Sequence, residues 1–247
     1  MTAVVFVHGA WHGAWVWDEW LRLFRRRGYA PRTITLRGHA DGTRGYRGVG
    51  LSDYCADVAR ELDGLPAPPI VVGHSLGGLI IQHLLAERRL PAAVLLAPIP
   101  GRYPAEVIVR NALRHPIVMA RANVQRDLRP LVSSPERVRE LLFTEQTPES
   151  VIDRCQARLT GAWPGLFREM VATAPPPPLP GTPTLVMAPT HDRSFTVERQ
   201  RALATTLGAE FEEVAGCGHD VPLDGPWRDV SRRILAWLET NKGDMGT

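Results

Sequence analysis

The chain has 247 residues, a length that suits one α/β domain with a sizeable core. A hydrophobic share of 44% and a charged share of 22% exclude a disordered, fibrous or disulfide-stapled protein. The net charge of +3 comes from 29 basic residues, all but Lys242 arginine, interspersed with 26 acidic ones, so neither a nucleic acid nor an anionic membrane is expected as a partner.

Residues 4–8 predict a first strand, with no basic, cleavable leader before it. Trp17, Trp20, Leu21 and Phe24 then recur at i, i+3, i+4 and i+7, which predicts a helix. Arg25, Arg26 and Arg27 suit its carbonyl end, and Gly28 follows as a cap. Residues 31–36 read as a second strand. A helix starting near Ser52 carries Tyr54, Val58 and Leu62 on one face, with Gly64 beyond it. Residues 70–74 and 92–97 predict two further strands, apolar throughout, as parallel strands covered on both faces are.

From residue 99 to 180 the rhythm breaks. Helical signals fall at 105–113, 135–143, 148–159 and 164–174, with no strand among them. The stretch ends in a polyproline-like spacer, residues 175–180. Strands then resume at 184–188 and 210–214, and a last helix presents Trp227, Val230, Ile234 and Trp237 on one face. This order predicts a mostly parallel sheet of about six strands flanked by helices. Residues 1–98 and 181–247 form its core, and 99–180 a helical cap inserted between two strands. Ligands of open α/β sheets bind beyond the carboxyl ends of the strands, where such a cap would lie.

The strongest chemical signal is Gly73-His-Ser75-Leu-Gly77-Gly78, a G-x-S-x-G pattern with a buried strand before it and an apolar helix after it. A serine at such a sharp turn needs small neighbours, because larger side chains at Gly73 and Gly77 would collide. The turn lifts the hydroxyl above the sheet edge. A serine is a poor nucleophile until a base takes its proton, and in this layout acid and base follow the later strands in the order Ser, Asp or Glu, His. His219 sits in the glycine-rich loop after the last strand. His74, His83 and His115 lie in the elbow, on the next helix and in the cap, positions unsuited to the base. Asp192 follows the strand at 184–188, whereas Asp220, Asp224 and Asp229 lie beyond His219 and break the order. A buried carboxylate at Asp192 would hold the imidazole in the right tautomer.

An oxyanion formed at Ser75 needs two amides already aimed at it. One is expected from Leu76. The other comes from the loop His8-Gly9-Ala10-Trp11, from Ala10 in the usual register or else from Trp11; Gly9 allows the close approach. Trp11, Trp15, His74, Leu76 and the cap are expected to line an apolar substrate pocket, although Trp15 suits a helix-start core equally well. His8 and His12 lack the H-E-x-x-H pattern of a zinc pair, and Cys55, Cys155 and Cys217 show no C-x-x-C spacing. No metal, no organic cofactor and no disulfide is implied. No apolar run approaches ~18 residues, so no membrane span is expected. The reading that follows is a cytoplasmic protein, and the arginine, proline and alanine bias suits a GC-rich bacterial genome.

On the His8-Gly9 loop, Leu36-Arg-Gly38-His39, the 73–78 elbow, Asp192 and His219, the chain resembles the α/β-hydrolase superfamily from end to end. Its segment Phe6-Val-His-Gly-Ala-Trp-His-Gly-Ala-Trp-Val-Trp17 is similar to the opening of the plant methylesterase and hydroxynitrile lyase group and its bacterial relatives. The resemblance implies a serine hydrolase acting on a small or medium apolar ester. Lyases of that group carry threonine at the position of Gly9 and lysine at that of Asp220, and dehalogenases and epoxide hydrolases of this fold use an aspartate nucleophile. Thr35 stands where the common pattern has an acid, with little consequence expected. Thioester, lactone or C–C hydrolysis with the same residues remains open, as does a non-catalytic ligand-binding role, since fold alone does not define function.

Overall fold

The computed structural model describes residues 1–40 and 45–241. Six parallel strands form one sheet in the order β2-β1-β3-β4-β5-β6. They are β1 (Ala3–Val7), β2 (Ala30–Ile34), β3 (Ile70–His74), β4 (Ala93–Leu96), β5 (Thr184–Pro189) and β6 (Glu210–Val214). All six coincide with expected strands to within one or two residues. The chain runs from β1 outward to β2, then crosses back to pair β3 on the other side of β1. That reversal opens a crevice between the carboxyl ends of β1 and β3, where ligands of such sheets bind. Val7 pairs with Gly73, so the loops after these two strands leave the sheet at the same level.

Alternation along each strand sorts the core into two layers. Val4, Phe6, Ile70 and Val72 face one side, where Trp17 of the preceding 3₁₀ turn, α1 (Asp18–Arg26) with Trp20 and Phe24, and α10 (Trp227–Thr240) with Ile234 and Leu238 cover them. Val5, Val7, Val71 and Leu95 face the other, under α2 (Leu51–Asp63), α3 (Leu76–Leu85) and α9 (Val197–Leu207). Helix α9 is not among the expected helices, although Thr196 accepts from the Arg199 amide at its start and Gly208, at φ +62°, ends it.

Between β4 and β5 lie five helices and one short 3₁₀ turn, and no strand. The helices are α4 (Ala105–Arg114), α5 (Pro116–Gln125), α6 (Pro135–Leu142), α7 (Glu149–Arg158) and α8 (Pro164–Ala172). Four match expected helical segments; α5 does not, because Ile117, Val118, Met119 and Val124 spread apolar character around it and blur the 3.6-residue period. The proline-rich stretch forms neither helix nor strand. No helix among the described residues is long and apolar enough to cross a membrane.

Candidate active site

Ser75 caps the amino end of α3 with φ +52° and ψ −110°, a conformation costly for any residue with a side chain. The flanking glycines make it possible. A Cβ on Gly73 would lie 2.5 Å from Ile81 Cδ1, and one on Gly77 would lie 2.3 Å from the Val7 carbonyl oxygen. The turn therefore packs directly on β1. The Leu76 amide belongs to the first turn of α3, where no helical carbonyl reaches it.

The loop after β1 passes over Ser75 with little clearance. A Cβ on Gly9 would stand 3.1 Å from Ser75 Cβ and 3.0 Å from His74 Nδ1. Beyond it Trp11 adopts φ +64°, an unusual value for a tryptophan. Two hydrogen-bond networks hold this strained loop. The Leu36 amide donates to His8 Nε2 at 3.1 Å, so His8 carries its proton on Nδ1 and donates it to the Gly9 carbonyl at 2.8 Å. The Tyr54 hydroxyl meets His39 Nε2 at 3.1 Å, His39 Nδ1 meets Thr160 Oγ1 at 3.0 Å, and Thr160 donates to the Trp11 carbonyl at 3.1 Å. Burial pushes His39 down to about 4 and keeps His8 well below the usual 6.5, so both rings are neutral connectors. The Leu36 to His39 motif thus braces the loop.

His219 and Asp192 complete a chain of contacts with Ser75. His219 Nε2 lies 3.0 Å from Ser75 Oγ, and its Nδ1 lies 2.9 Å from Asp192 Oδ2. The other oxygen of Asp192 accepts from the amides of Ser194 and Phe195, at 2.7 and 3.0 Å, which fixes the carboxylate in a fully buried position. Burial disfavours charge on the His219 ring, but the attraction and hydrogen bond of Asp192, with Asp220 behind them, outweigh it and raise the ring above 6.5. Arg193, the surface partner Asp192 might have had, reaches Glu145 instead.

The rival aspartates do other work. Asp224 accepts from the Gly218 amide at 2.6 Å and from Thr147 at 2.6 Å, pinning the His219 loop from behind. Asp229 pairs on the surface with Arg232. Asp220 is fully buried and lies 3.0 Å from His12 Nε2, while His12 Nδ1 meets the Ala10 carbonyl at 2.8 Å. His12 thus bridges the Ala10 carbonyl and the Asp220 carboxylate, one through each ring nitrogen. Burial works to raise the Asp220 carboxyl, but His12 holds it below the usual carboxylate range. This pair, invisible in the sequence because its members are 208 positions apart, ties the Ala10 loop to the His219 loop. Cys155 of α7 adds its thiol 3.8 Å from Asp220. Among the described residues, His12, Cys155 and Asp220 are the group whose potential metal-ligating atoms converge, within 4.8 Å. Their chemistry fits a hydrogen-bonded bridge better than a ligand set, since both His12 nitrogens already have oxygen partners and burial pushes the Cys155 thiol up and keeps it protonated.

His74 and Trp15 turn out to be supports instead of pocket walls. His74 is buried in the elbow and its Nε2 donates to the His219 carbonyl at 2.9 Å, because the residue before the serine points back beneath the loop. Trp15 lies in the 3₁₀ turn Ala14–Trp17, beside His12 and under the Arg158 guanidinium 4.8 Å away, which is the helix-start core alternative. Trp11 does line a cavity, of about 180 Å³, with Tyr103, Phe167, Leu128 and Met119. A run of ring contacts joins that cavity to the histidine: Phe167 to Tyr103 at 5.0 Å, Tyr103 to Phe195 at 5.7 Å, Phe195 to His219 at 5.3 Å.

A parallel sheet of this order, carrying a strained serine between β3 and α3, defines the α/β-hydrolase fold. The model of the Alpha/beta hydrolase family matches residues 4–233, and the chain belongs to that family. Among curated proteins it is similar to the Carbendazim hydrolyzing esterase of Nocardioides sp., 36% identical over 101 residues that cover 37% of this chain and 38% of that one. It is likewise similar to Methylesterase 10 of Arabidopsis thaliana, 37% identical over 93 residues, 36% of this chain and 33% of that one. The chain spans between a third and two-fifths of the length of these relatives. Among solved structures, a thermophilic esterase from Thermogutta terrifontis superposes with a TM-score of 0.76 at 21% identity, over 98% of this chain and 90% of that one. The methylesterase MES16 from Arabidopsis gives 0.73 at 20% identity, over 97% and 100%. At such identities these two likenesses speak for the fold.

Proposed function

We propose that this chain hydrolyses carboxylic esters of small or medium apolar compounds through an acyl-serine intermediate. The observation that carries the reading is the hydrogen-bonded chain Ser75–His219–Asp192 at the crevice between β1 and β3. Ser75 attacks the ester carbonyl as His219 takes its proton, and Asp192 holds the imidazole in the tautomer that presents Nε2 to Ser75 and stabilises the imidazolium. The amides of Leu76 and Ala10 receive the oxyanion, their positions set by the elbow and by the close passage of Gly9. His219 then protonates the departing alcohol and, with a water in its place, reverses the sequence to release the acid.

The helical insertion, residues 99–180, acts as the cap, and the aromatic cavity bounded by Trp11, Tyr103 and Phe167 takes one apolar portion of the ester. Arabidopsis Methylesterase 10 and the Nocardioides esterase support an ester as substrate. The three cysteines, all free thiols, suit a reducing cytoplasm, and the arginine- and proline-rich composition suits a bacterial source.

Comparison of kcat/KM on matched ester, thioester and lactone substrates tests the reading. A fast ester rate is expected. A negligible ester rate beside a fast thioester or lactone rate would move the assignment to that class. Failure of a fluorophosphonate to label Ser75 would favour a ligand-binding role.

A further inference from the structure

Large apolar side chains left exposed are informative only where they cluster. Among the described residues six are exposed, and four of them fall on two consecutive helices: Val109 and Leu113 on α4, Ile117 and Val124 on α5. Leu113, Ile117 and Val124 are 78%, 83% and 86% exposed, close to the value of the terminal Met1 at 87%. The inner sides of the same helices are satisfied, since Val107 and Ala122 are buried and Ile108 and Met119 line the cavity. The exposed apolar side chains of α4 and α5 therefore serve no packing role among the described residues.

The charge around them points to what covers them. Residues 102–130 carry six arginines against two acids, Glu106 and Asp127. Glu106 is paired with Arg199, and Asp127 is buried, accepting from the Tyr46 hydroxyl at 2.8 Å. Ile117, Ala120, Arg121 and Val124 follow one another at i, i+3, i+4 and i+7, which sets an arginine inside the apolar stripe. Arg121, Arg126 and Arg129 make no ion pair among the described residues, and Arg47, Arg121 and Arg129 line a groove alongside α5. An apolar helical face studded with arginine is the composition of a helix lying in the headgroup region of an anionic bilayer.

We propose, against the expectation drawn from the interspersed charges of the sequence, that the exposed sides of α4 and α5 dock on anionic phospholipid membranes. A second copy of the chain fits less well, because a two-fold contact would set the Arg121 and Arg126 patch against itself. A single-stranded nucleic acid fits less well too, because the exposed apolar side chains are aliphatic and offer no stacking surface. Docking would bring lipid against helices whose opposite sides wall the aromatic cavity. The proposal stands on the surface alone and does not depend on the esterase reading.

Cosedimentation of the whole chain with phosphatidylcholine vesicles, with and without phosphatidylglycerol, tests it by binding and not by turnover. Binding is expected to the vesicles containing phosphatidylglycerol and to weaken as salt is raised. The double variant Leu113→Gln/Ile117→Gln, at exposed positions that leave the melting temperature unchanged, should bind on the order of tenfold or more weakly. Arg121→Gln and Arg126→Gln should each cost roughly fivefold. Absence of binding to either vesicle would overturn the proposal, as would binding that both sets of substitutions leave intact. A concentration-dependent dimer in sedimentation velocity that Leu113→Gln/Ile117→Gln abolishes would overturn it in favour of self-association.

Discussion

The elbow after β3 and the helices α4 and α5 after β4 both carry many apolar residues, and both follow a central strand of the sheet at its carboxyl end. The elbow is enclosed on every side: Ser75 is strained, and Gly77 leaves no room for a methyl group against β1. The two helices each bury one side and expose Leu113, Ile117 and Val124 on the other. Apolar composition alone does not say which way a segment faces. Where backbone sterics leave one conformation, sequence and geometry coincide; where apolar residues are spread around a helix, only the surrounding fold assigns its sides.

The sharpest test of the enclosed region is chemical. Ser75→Ala should lower kcat on a model ester by on the order of 10⁶-fold with folding intact. Asp192→Asn should lower it by roughly 10⁴-fold, read under the same conditions. If Asp224→Asn proves the more damaging of the two aspartate changes, the acid has been misassigned and Asp224 does more than pin Gly218. Asp220→Asn should act differently, through stability and pH. Loss of the buried His12–Asp220 hydrogen bond should cost about 1–3 kcal/mol in denaturant unfolding. Because Asp220 helps to hold His219 above 6.5, the acid limb of kcat/KM should also move to lower pH. A purely structural Asp220 would leave that limb where it is.

The neutral histidines give a smaller effect. Burial holds His39 at about 4 and His74 at about 3, whereas in the unfolded chain both take up a proton below 6.5. Their depressed values favour the folded state above pH 6.5, and that contribution is lost as pH falls toward the folded values. Urea unfolding should show roughly 2 kcal/mol lost per histidine between pH 7 and pH 5. An unchanged midpoint would mean the rings are charged in the fold and the loop is braced in some other way. The exposed sides of α4 and α5 supply the smallest effect: Leu113→Gln/Ile117→Gln should leave kcat/KM on a water-soluble ester within about twofold, in line with surface changes that touch no buried partner. A large loss there would mean that the outer face is coupled to the cavity and that the two regions are not independent.

Much of the site was legible because its constraints are local. Gly73, Ser75 and Gly77 lie within five residues, and the order of Ser75, Asp192 and His219 follows the order of the strands that carry them. The supports were not legible. His12 and Asp220 meet only because β1 and the loop after β6 end at the same edge, and His74 looks like a pocket residue until the His219 carbonyl is found on its Nε2. Trp15 could be read either way until Arg158 of α7 covered it.

The sequence by itself determined the parallel sheet, the elbow and the residues that converge on it, because strand periodicity and glycine sterics act over a few neighbouring positions. Tertiary structure alone decided the rest: which polar groups brace the loops around Ser75, which histidines stay neutral, and which sides of α4 and α5 are left exposed. Charge and burial are sums over everything within several ångströms, and that neighbourhood exists only once the chain has folded.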